Sequence, residues 1–275
     1  MRPTPSIKEV QSYWQRHPLL AFEASLQDQN TFFDYLDHVK RTDVERFAMD
    51  YWNFESCAGK RVLDIGCGPG WLTVEYVRHG ARGTAIDLTQ AAVDLTKAHL
   101  ATRGLSAHVQ CGNAESLDFD SASFDLVVSS GVMHHTPDAA SAMREACRVC
   151  SRDGSARITL YRWAWYHRRP FFPLLRSATR LGGVRHPGAK LTYLETSPEE
   201  FVRQYDGDAN PIGIARSDRV WSEQLEAAGW RVLGCEHHYF PARMAIRTRI
   251  PSEVHRTLDR IMGTMTYFSL VPAPR

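Results

Sequence analysis

Apolar and polar positions follow two regular patterns from about residue 60 onward. Short apolar runs typical of buried strands are separated by longer stretches in which apolar residues recur every three or four positions, as on a helix face. Strands are predicted at 61–65, 82–87, 107–111, 124–129, 154–161, 230–240 and 265–271. Helices are predicted at 71–79, 90–102, 137–150, 217–228 and 252–262. This alternation indicates βαβ units, and therefore a parallel sheet with right-handed crossovers.

The residues before this alternation are predicted to cover the sheet. Residues 1–56 show only helical spacing, at 7–14 and 31–52, and are predicted to be an N-terminal helical lid segment. The remaining residues, 57–275, are predicted to form one α/β domain.

Two interruptions of the pattern are predicted to be insertions in that domain. The first, at about 162–216, is expected to cap a substrate, and the second lies at about 241–264. The strands at 230–240 and 265–271 are expected to pair in antiparallel fashion at the edge of the sheet.

The composition is that of an ordinary globular protein, with 43% apolar and 23% charged residues in a chain of 275. A formal charge of +2 is too small to indicate a nucleic acid or a membrane as partner. Six cysteines without a framework spacing indicate reduced thiols. There is no apolar signal core at the N-terminus, and no stretch approaches the ~18–20 apolar residues of a membrane span. These features predict a soluble, cytoplasmic protein.

A glycine-rich stretch follows the first predicted strand. Gly66, Gly68 and Gly70 alternate with other residues, which allows a sharp turn and close approach of a ligand to bare backbone. Dinucleotide-binding loops have the spacing G-x-G-x-x-G, so the third glycine here comes one residue early. Asp64 precedes the loop, and its carboxylate would repel a pyrophosphate but attract an ammonium or sulfonium group. The stretch therefore argues against a nicotinamide oxidoreductase.

Polar residues also follow the next two predicted strands. Asp87 ends the second strand, where a carboxylate suits two ribose hydroxyls. Asn113 and Glu115 follow the third strand, where an adenine edge would lie, although turn chemistry alone also explains them.

Four segments together resemble the class I S-adenosylmethionine-dependent methyltransferases. They are VLDIGCGPG at 62–70, AIDL at 85–88, NAE at 113–115 and FDLVV at 124–128, in the family's order and spacing. The loop GVMHHTPD at 131–138 is similar to the one after the family's fourth strand. The resemblance implies an α/β fold with a Rossmann-like, seven-stranded, mostly parallel sheet, helices on both faces and an antiparallel last strand.

The resemblance also implies the residues that bind S-adenosylmethionine. They are Asp64, Gly66, Cys67 and Gly68 for the methionine part, Asp87 for the ribose, Leu88, Asn113, Ala114 and Glu115 for the adenine, and Ser130 for the methionine ammonium. Asn113 departs from the aspartate common at its position, and the loss of that charge is expected to change the affinity only modestly. S-adenosylhomocysteine would be the product.

His134 and His135 are the candidates for catalysis. They follow the fourth strand beside the expected cofactor, and histidine titrates near neutrality, so either one suits a general base. Alternatively, one caps the following turn and the other packs under the cofactor. No metal site is predicted, since no His-x-His or histidine–carboxylate spacing is present. Cys147 and Cys150 are expected to be two core thiols on one helix face.

The region 154–194 holds eight Lys or Arg residues and no Asp or Glu, with aromatic residues interleaved. Such a cap favours an anionic or aromatic small molecule, with a solvated surface or single-stranded nucleic acid as alternatives. The predicted substrate-binding residues are Tyr13, Trp14, Tyr161, Arg168, Arg169 and His238.

The sequence thus predicts transfer of a methyl group from S-adenosylmethionine to an oxygen, nitrogen or carbon atom of a small metabolite, such as a natural-product intermediate. A nucleic-acid methyltransferase and a non-catalytic S-adenosylmethionine-binding protein are the alternatives. The sequence leaves open whether the chain is a monomer or a homodimer.

Overall fold

A seven-stranded sheet organises the chain in the computed structural model. The structure describes residues 3–18, 28–46, 49–168, 170–174, 177, 197–207, 209–240 and 251–274. The strands are β1 (Arg61–Ile65), β2 (Arg82–Asp87), β3 (His108–Cys111), β4 (Phe124–Ser130), β5 (Cys150–Tyr161), β6 (Trp230–His238) and β7 (Met265–Pro272). Their order is β3-β2-β1-β4-β5-β7-β6. Only the pairs that involve β7 are antiparallel, so the predicted antiparallel pair at the edge is confirmed.

The helices between the strands lie close to their predicted positions. They are α4 (Trp71–Arg78), α5 (Gln90–Thr102), α6 (Ala139–Val149), α8 (Asp218–Ala227) and α9 (Ser252–Met262), with α7 (Pro198–Arg203) between β5 and β6. The expected N-cap of α5 is confirmed, because the side chain of Thr89 accepts a hydrogen bond from Ala92 N. The βαβ order brings the carboxyl ends of β1, β2, β4 and β5 to one edge. That edge is where open α/β sheets bind ligands.

The N-terminal residues form helices, as their spacing predicts, but the stretch 31–52 is divided into separate helical segments. The chain forms α1 (Ile7–Arg16) and α2 (Gln29–Val39), continues as one π-helical turn (Lys40–Val44), and then forms the short α3 (Met49–Trp52). The break follows from Glu45, whose buried carboxylate accepts hydrogen bonds from Trp52, Tyr239 and Tyr267. Because those donors lie on several elements, the chain bends to bring the carboxylate to them.

The prediction that Cys147 and Cys150 lie on one face of the same helix is wrong. Cys147 lies in α6, but that helix ends at Val149 and Cys150 is the first residue of β5. The two thiols therefore belong to different elements, and neither is part of a disulfide.

The chain leaves the sheet after β5 and returns at residue 216 to the carboxyl end of the same strand. Trp163 N donates to Arg216 O at 2.8 Å, and Arg216 N donates to Tyr161 O at 3.3 Å. The two ends of the segment predicted as a cap therefore meet beside the carboxyl end of β5.

Candidate active site

The glycine loop between β1 and α4 has the backbone conformation that its glycines predict. Gly66, Gly68 and Gly70 all have positive φ angles, of +77°, +54° and +83°. A Cβ atom on Gly66 would come within 2.3 Å of Val132, whereas one on Gly68 would meet nothing within 4 Å. The loop is therefore packed tightly at Gly66 and open above Gly68.

Asp64 lies at the end of β1 with 2% of its surface exposed. Its Oδ2 atom accepts a hydrogen bond from the Thr73 hydroxyl at 2.6 Å. Burial raises the pKa of Asp64 to about 6, an effect that Thr73 partly opposes and the nearby Asp87 reinforces. A cation beside Asp64 would therefore interact with a carboxylate that solvent screens very little.

Asp87 ends β2 and faces the glycine loop. Gly68 N donates to its Oδ2 atom at 3.2 Å, and Thr89 donates to its Oδ1 atom from both its amide and its hydroxyl at 2.9 Å. Burial raises the pKa of Asp87, while these donors lower it. The carboxylate is thus held in one orientation beside the open side of Gly68. Gly68 of the glycine loop thus touches Asp87 at the end of β2, and β2 pairs with β1, which carries Asp64. We call the glycine loop, Asp64 and Asp87 together the cofactor cradle.

The segment after β3 supports the cradle from the side. Asn113 Oδ1 accepts from Glu115 N at 3.0 Å, which is the turn chemistry that the alternative interpretation predicted. Glu115 Oε1 accepts from the Thr136 hydroxyl and, at 2.8 Å, from Asp138 N. One oxygen of Glu115 therefore holds the loop after β4.

The other predicted cofactor residues border the same cradle. Cys67 is buried, and its sulfur lies 3.2 Å from the hydroxyl oxygen of Thr96. The carbonyl of Leu88 accepts from Gln11 Nε2 of α1 at 2.8 Å. Ser130 is the last residue of β4, and the next amide, that of Gly131, donates to the Thr159 hydroxyl at 2.9 Å.

The two neighbouring histidines after β4 have different surroundings. His134 is fully buried, and neither of its ring nitrogens has a hydrogen-bond partner among the described residues. Its ring centroid lies 3.8 Å from that of Tyr161. Burial, together with the nearby His135, keeps the pKa of His134 well below its ordinary value. The imidazole is therefore neutral at pH 7.

His135 instead has a partner at each ring nitrogen. Nδ1 lies 2.6 Å from Ile212 O and, since a carbonyl only accepts, carries a proton. Nε2 lies 2.9 Å from Asp206 Oδ2. The same carboxylate oxygen accepts from the Tyr161 hydroxyl. His135 is thus fixed in orientation by the segment that follows α7.

Helix α1 crosses the site between the cofactor cradle and this carboxylate. Gln11 reaches Leu88 O on one side, and on the other Tyr13 donates from its hydroxyl to Asp206 O at 2.6 Å. The Trp14 ring packs edge-on against His135, with centroids 5.3 Å apart. Tyr13, Trp14 and Tyr161, predicted to contact substrate, are thereby brought together.

Arg168 and His238 do not join this group. Arg168 is exposed, and Arg169 lies outside the described residues. The His238 ring has Asp259 at 3.4 Å on Nδ1 and Glu236 at 3.3 Å on Nε2, and these carboxylates raise its pKa to about 9 against the opposing effect of burial. In the described part of the chain, no three metal-ligating side chains form a cluster that could hold a metal ion.

Sequence reasoning missed the residues that hold the predicted ones in place. Asp206 was not singled out, because the turn around it looks only like a compact polar loop. Thr73 was also missed, although a hydroxyl residue in the turn after a glycine loop is a usable signal. Long-range partners of this kind leave no trace in local spacing.

Comparison with known proteins agrees with this geometry. Residues 63–158 match the family model described as a methyltransferase domain. The ubiquinone biosynthesis O-methyltransferase of Coxiella burnetii is 36% identical over 80 residues, which are 29% of this chain and 34% of that protein. This match therefore spans about a third of that relative's length.

Solved structures share the fold at low identity. An S-adenosylmethionine-dependent methyltransferase from Mesorhizobium loti has a TM-score of 0.53 at 17% identity, covering 80% of this chain and 95% of that one. The 4+2 cyclase SpnF has a TM-score of 0.59 at 18% identity and covers 99% of both chains.

Residues 63–158 therefore match a methyltransferase domain, and the sheet as a whole has the fold of the solved S-adenosylmethionine-dependent methyltransferases. S-adenosylmethionine is the cofactor of these proteins. Among the helices that the structure describes, none is long and apolar enough to cross a membrane.

Proposed function

We propose that the protein transfers the methyl group of S-adenosylmethionine to a hydroxyl oxygen of a small organic molecule. The observation that carries the proposal is the buried, neutral imidazole of His134 at the carboxyl end of β4, whose ring nitrogens have no hydrogen-bond partner among the described residues. A hydroxyl group must lose its proton when it is methylated, and a neutral histidine beside it is a suitable acceptor of that proton.

The cradle fits the cofactor in its chemistry. Asp64 provides a buried carboxylate for the methionine ammonium, and Asp87 provides oxygens for the ribose hydroxyls beside the open backbone at Gly68. Leu88 and Ala114 would flank the adenine, with Asn113 and Glu115 beside its edge.

The cofactor supplies an electrophilic methyl group, and the protein orients the acceptor towards it. Bound in the cradle, S-adenosylmethionine would give its methyl group to the acceptor oxygen, and the electron pair of the carbon–sulfur bond would stay on the sulfur of the product S-adenosylhomocysteine. The hydroxyl proton passes to His134. His135, held by Asp206 and Ile212, fixes the wall of the acceptor site without taking part in the proton transfer.

The acceptor is inferred to lie between α1, which we interpret as a lid, and the described part of the predicted cap that carries Asp206 and Ile212. Tyr161, Trp14 and the two histidines give this space an aromatic wall, which favours a planar acceptor. A phenol or an enol combines a planar shape with an acidic hydroxyl. A natural-product intermediate of this kind would suit the site.

The test replaces His134 with glutamine, which is polar but not a base. His134→Gln is expected to lower kcat about 100-fold with a panel of phenols and hydroxybenzoates, because general-base catalysis contributes about 10²–10⁴. Binding of S-adenosylhomocysteine should remain unchanged. His108→Gln, at an exposed position on β3, is the matched control. An unchanged kcat in His134→Gln would refute the role of His134. If the original protein binds S-adenosylmethionine but forms no S-adenosylhomocysteine with any acceptor of the panel, a non-catalytic protein is favoured.

A further inference from the structure

Helix α5 holds the glycine loop by two consecutive carbonyl groups. The Thr96 hydroxyl donates to Gly68 O at 2.8 Å, and His99 Nδ1 lies 3.0 Å from Pro69 O. Thr96 and His99 are three residues apart and so lie on the same face of the helix. Because a carbonyl only accepts, His99 Nδ1 is the donor.

The His99 bond fixes a peptide plane in the middle of the loop. Pro69 has no amide hydrogen, and the amide of Gly70 donates back to Cys67 O at 2.9 Å. The peptide between Pro69 and Gly70 is therefore held at its carbonyl by His99 and at its amide by the loop itself. Gly70 is also the N-cap of α4, so this plane sets the direction in which the helix begins.

The N-terminal segment holds His99 in turn. The imidazole is fully buried and stacks on Phe33 of α2, with centroids 4.4 Å apart and planes 5° from parallel. His99 Nε2 lies 3.2 Å from Asp37 Oδ1, and the other oxygen of Asp37 is 3.0 Å from Arg103. The ring therefore has one orientation, with Nδ1 towards the loop.

We propose that His99 is a positioning residue for the cofactor loop and that α2 sets the cofactor affinity through it. The inference rests on the assignment of the glycine loop to the cofactor, but not on methyl transfer. Without the Nδ1 donor, the peptide between Pro69 and Gly70 loses its anchor to α5. The loop can then leave the shape in which Gly68 N meets Asp87, and cofactor binding becomes weaker.

Two variants of His99 separate the contribution of its Nδ1 donor from that of its ring packing. His99→Phe keeps an aromatic ring against Phe33 but removes the donor, whereas His99→Asn keeps an amide N–H near the position of Nδ1 but removes the ring. Calorimetric titration of the full chain with S-adenosylhomocysteine should give about a tenfold higher Kd for His99→Phe, the range for one lost buried hydrogen bond. His99→Asn should stay within about threefold of the original Kd.

A stability control distinguishes positioning from a general loss of structure. Val149→Ala removes buried volume from a hydrophobic cluster that contains no residue of α5 or of the glycine loop. It should lower the Tm and leave the Kd unchanged. An unchanged Kd in His99→Phe would overturn the proposal, and so would equal losses in His99→Phe and His99→Asn.

A second measurement covers the case that His99→Phe does not fold. Thr96→Val is then compared by amide hydrogen exchange, and the Gly70 amide, which donates to Cys67 O, should exchange faster than in the original protein. Full protection of this amide in Thr96→Val would contradict the role of α5. If the original protein does not bind S-adenosylhomocysteine at all, the assignment of the glycine loop to the cofactor is wrong. This outcome is distinct from the results expected for the His99 and Thr96 variants.

Discussion

At the scale of single residues, the proposed contact between Asp64 and the methionine ammonium makes the affinity for the cofactor depend on pH. Its carboxyl is buried, and its pKa of about 6 means that part of the free protein carries a proton there in mildly acidic solution. The methionine ammonium interacts favourably only with the ionised form. Binding should therefore lower the pKa of Asp64 and remove its proton.

The pH dependence of affinity follows from this sign. S-adenosylhomocysteine should bind with constant affinity above about pH 7 and progressively more weakly below pH 6, by at most about tenfold per pH unit. Titration calorimetry between pH 5 and 8 measures the effect. Asp64→Asn should bind more weakly at pH 7.5 and lose most of the pH dependence. An equally steep pH dependence in Asp64→Asn would contradict the assignment.

The histidine pair shows what residue-level reasoning can predict. The position of His134 and His135 after β4 was predictable from the family resemblance, since both follow a recognisable strand. Which of them is unpartnered was not, because the partners of His135 are Ile212 and Asp206, more than 70 residues later in the chain. The two residues look alike in sequence, and only their contacts distinguish them.

At the scale of elements, the buried carboxylate of Glu45 joins the N-terminal segment to the late strands. It accepts from Trp52 at 3.0 Å, Tyr239 at 2.8 Å and Tyr267 at 3.2 Å, and Lys40 lies 3.3 Å away. Three donors, of which Trp52 and Tyr267 are buried, thus share one acceptor group. The π-helical turn before Glu45 is the local distortion that this arrangement requires.

Removal of this carboxylate should weaken the fold strongly. Glu45→Ala leaves two buried donors, the partly buried Tyr239 and Lys40 without their acceptor, which should cost about 3–5 kcal/mol of unfolding free energy. Urea denaturation followed by circular dichroism measures the change. Glu55→Ala, at an exposed position in the turn Phe54–Cys57, should change stability by less than about 0.5 kcal/mol. Equal stabilities of the two variants would disprove the linking role of Glu45.

Element boundaries were predictable where local signals determine them. Helix α5 begins after Thr89 and ends at Thr102 as its N-cap and helical periodicity predict. The break at 40–44 was not predictable, because Tyr239 lies 194 residues from Glu45 along the chain. Cys150 was assigned to a helix because its apolar spacing continues that of α6, while pairing with β4 draws it into β5.

At the scale of the whole molecule, the sheet edge collects contributions from distant parts of the chain. The cradle comes from β1, β2 and the glycine loop, the histidines from the loop after β4, and Asp206 from the segment between β5 and β6. Helix α1 contacts both halves, through Leu88 and through Asp206. The overall topology was predictable from the alternation of strands and helices. The contact of α1 with Asp206 was not, because it joins Tyr13 to a residue 193 positions later in the chain.

The most direct test of the account asks which cofactor stabilises the molecule. Thermal unfolding is followed with S-adenosylmethionine, S-adenosylhomocysteine or NAD, for the original chain and for Asp87→Ala. A ligand at 100 times its Kd adds ~2.7 kcal/mol of stability, a clear rise in Tm. Both S-adenosyl compounds should raise the Tm of the original chain, and they should raise the Tm of Asp87→Ala much less. NAD should leave the Tm of the original chain unchanged. Stabilisation by NAD alone, or equal stabilisation of both chains by S-adenosylhomocysteine, would contradict the assigned site.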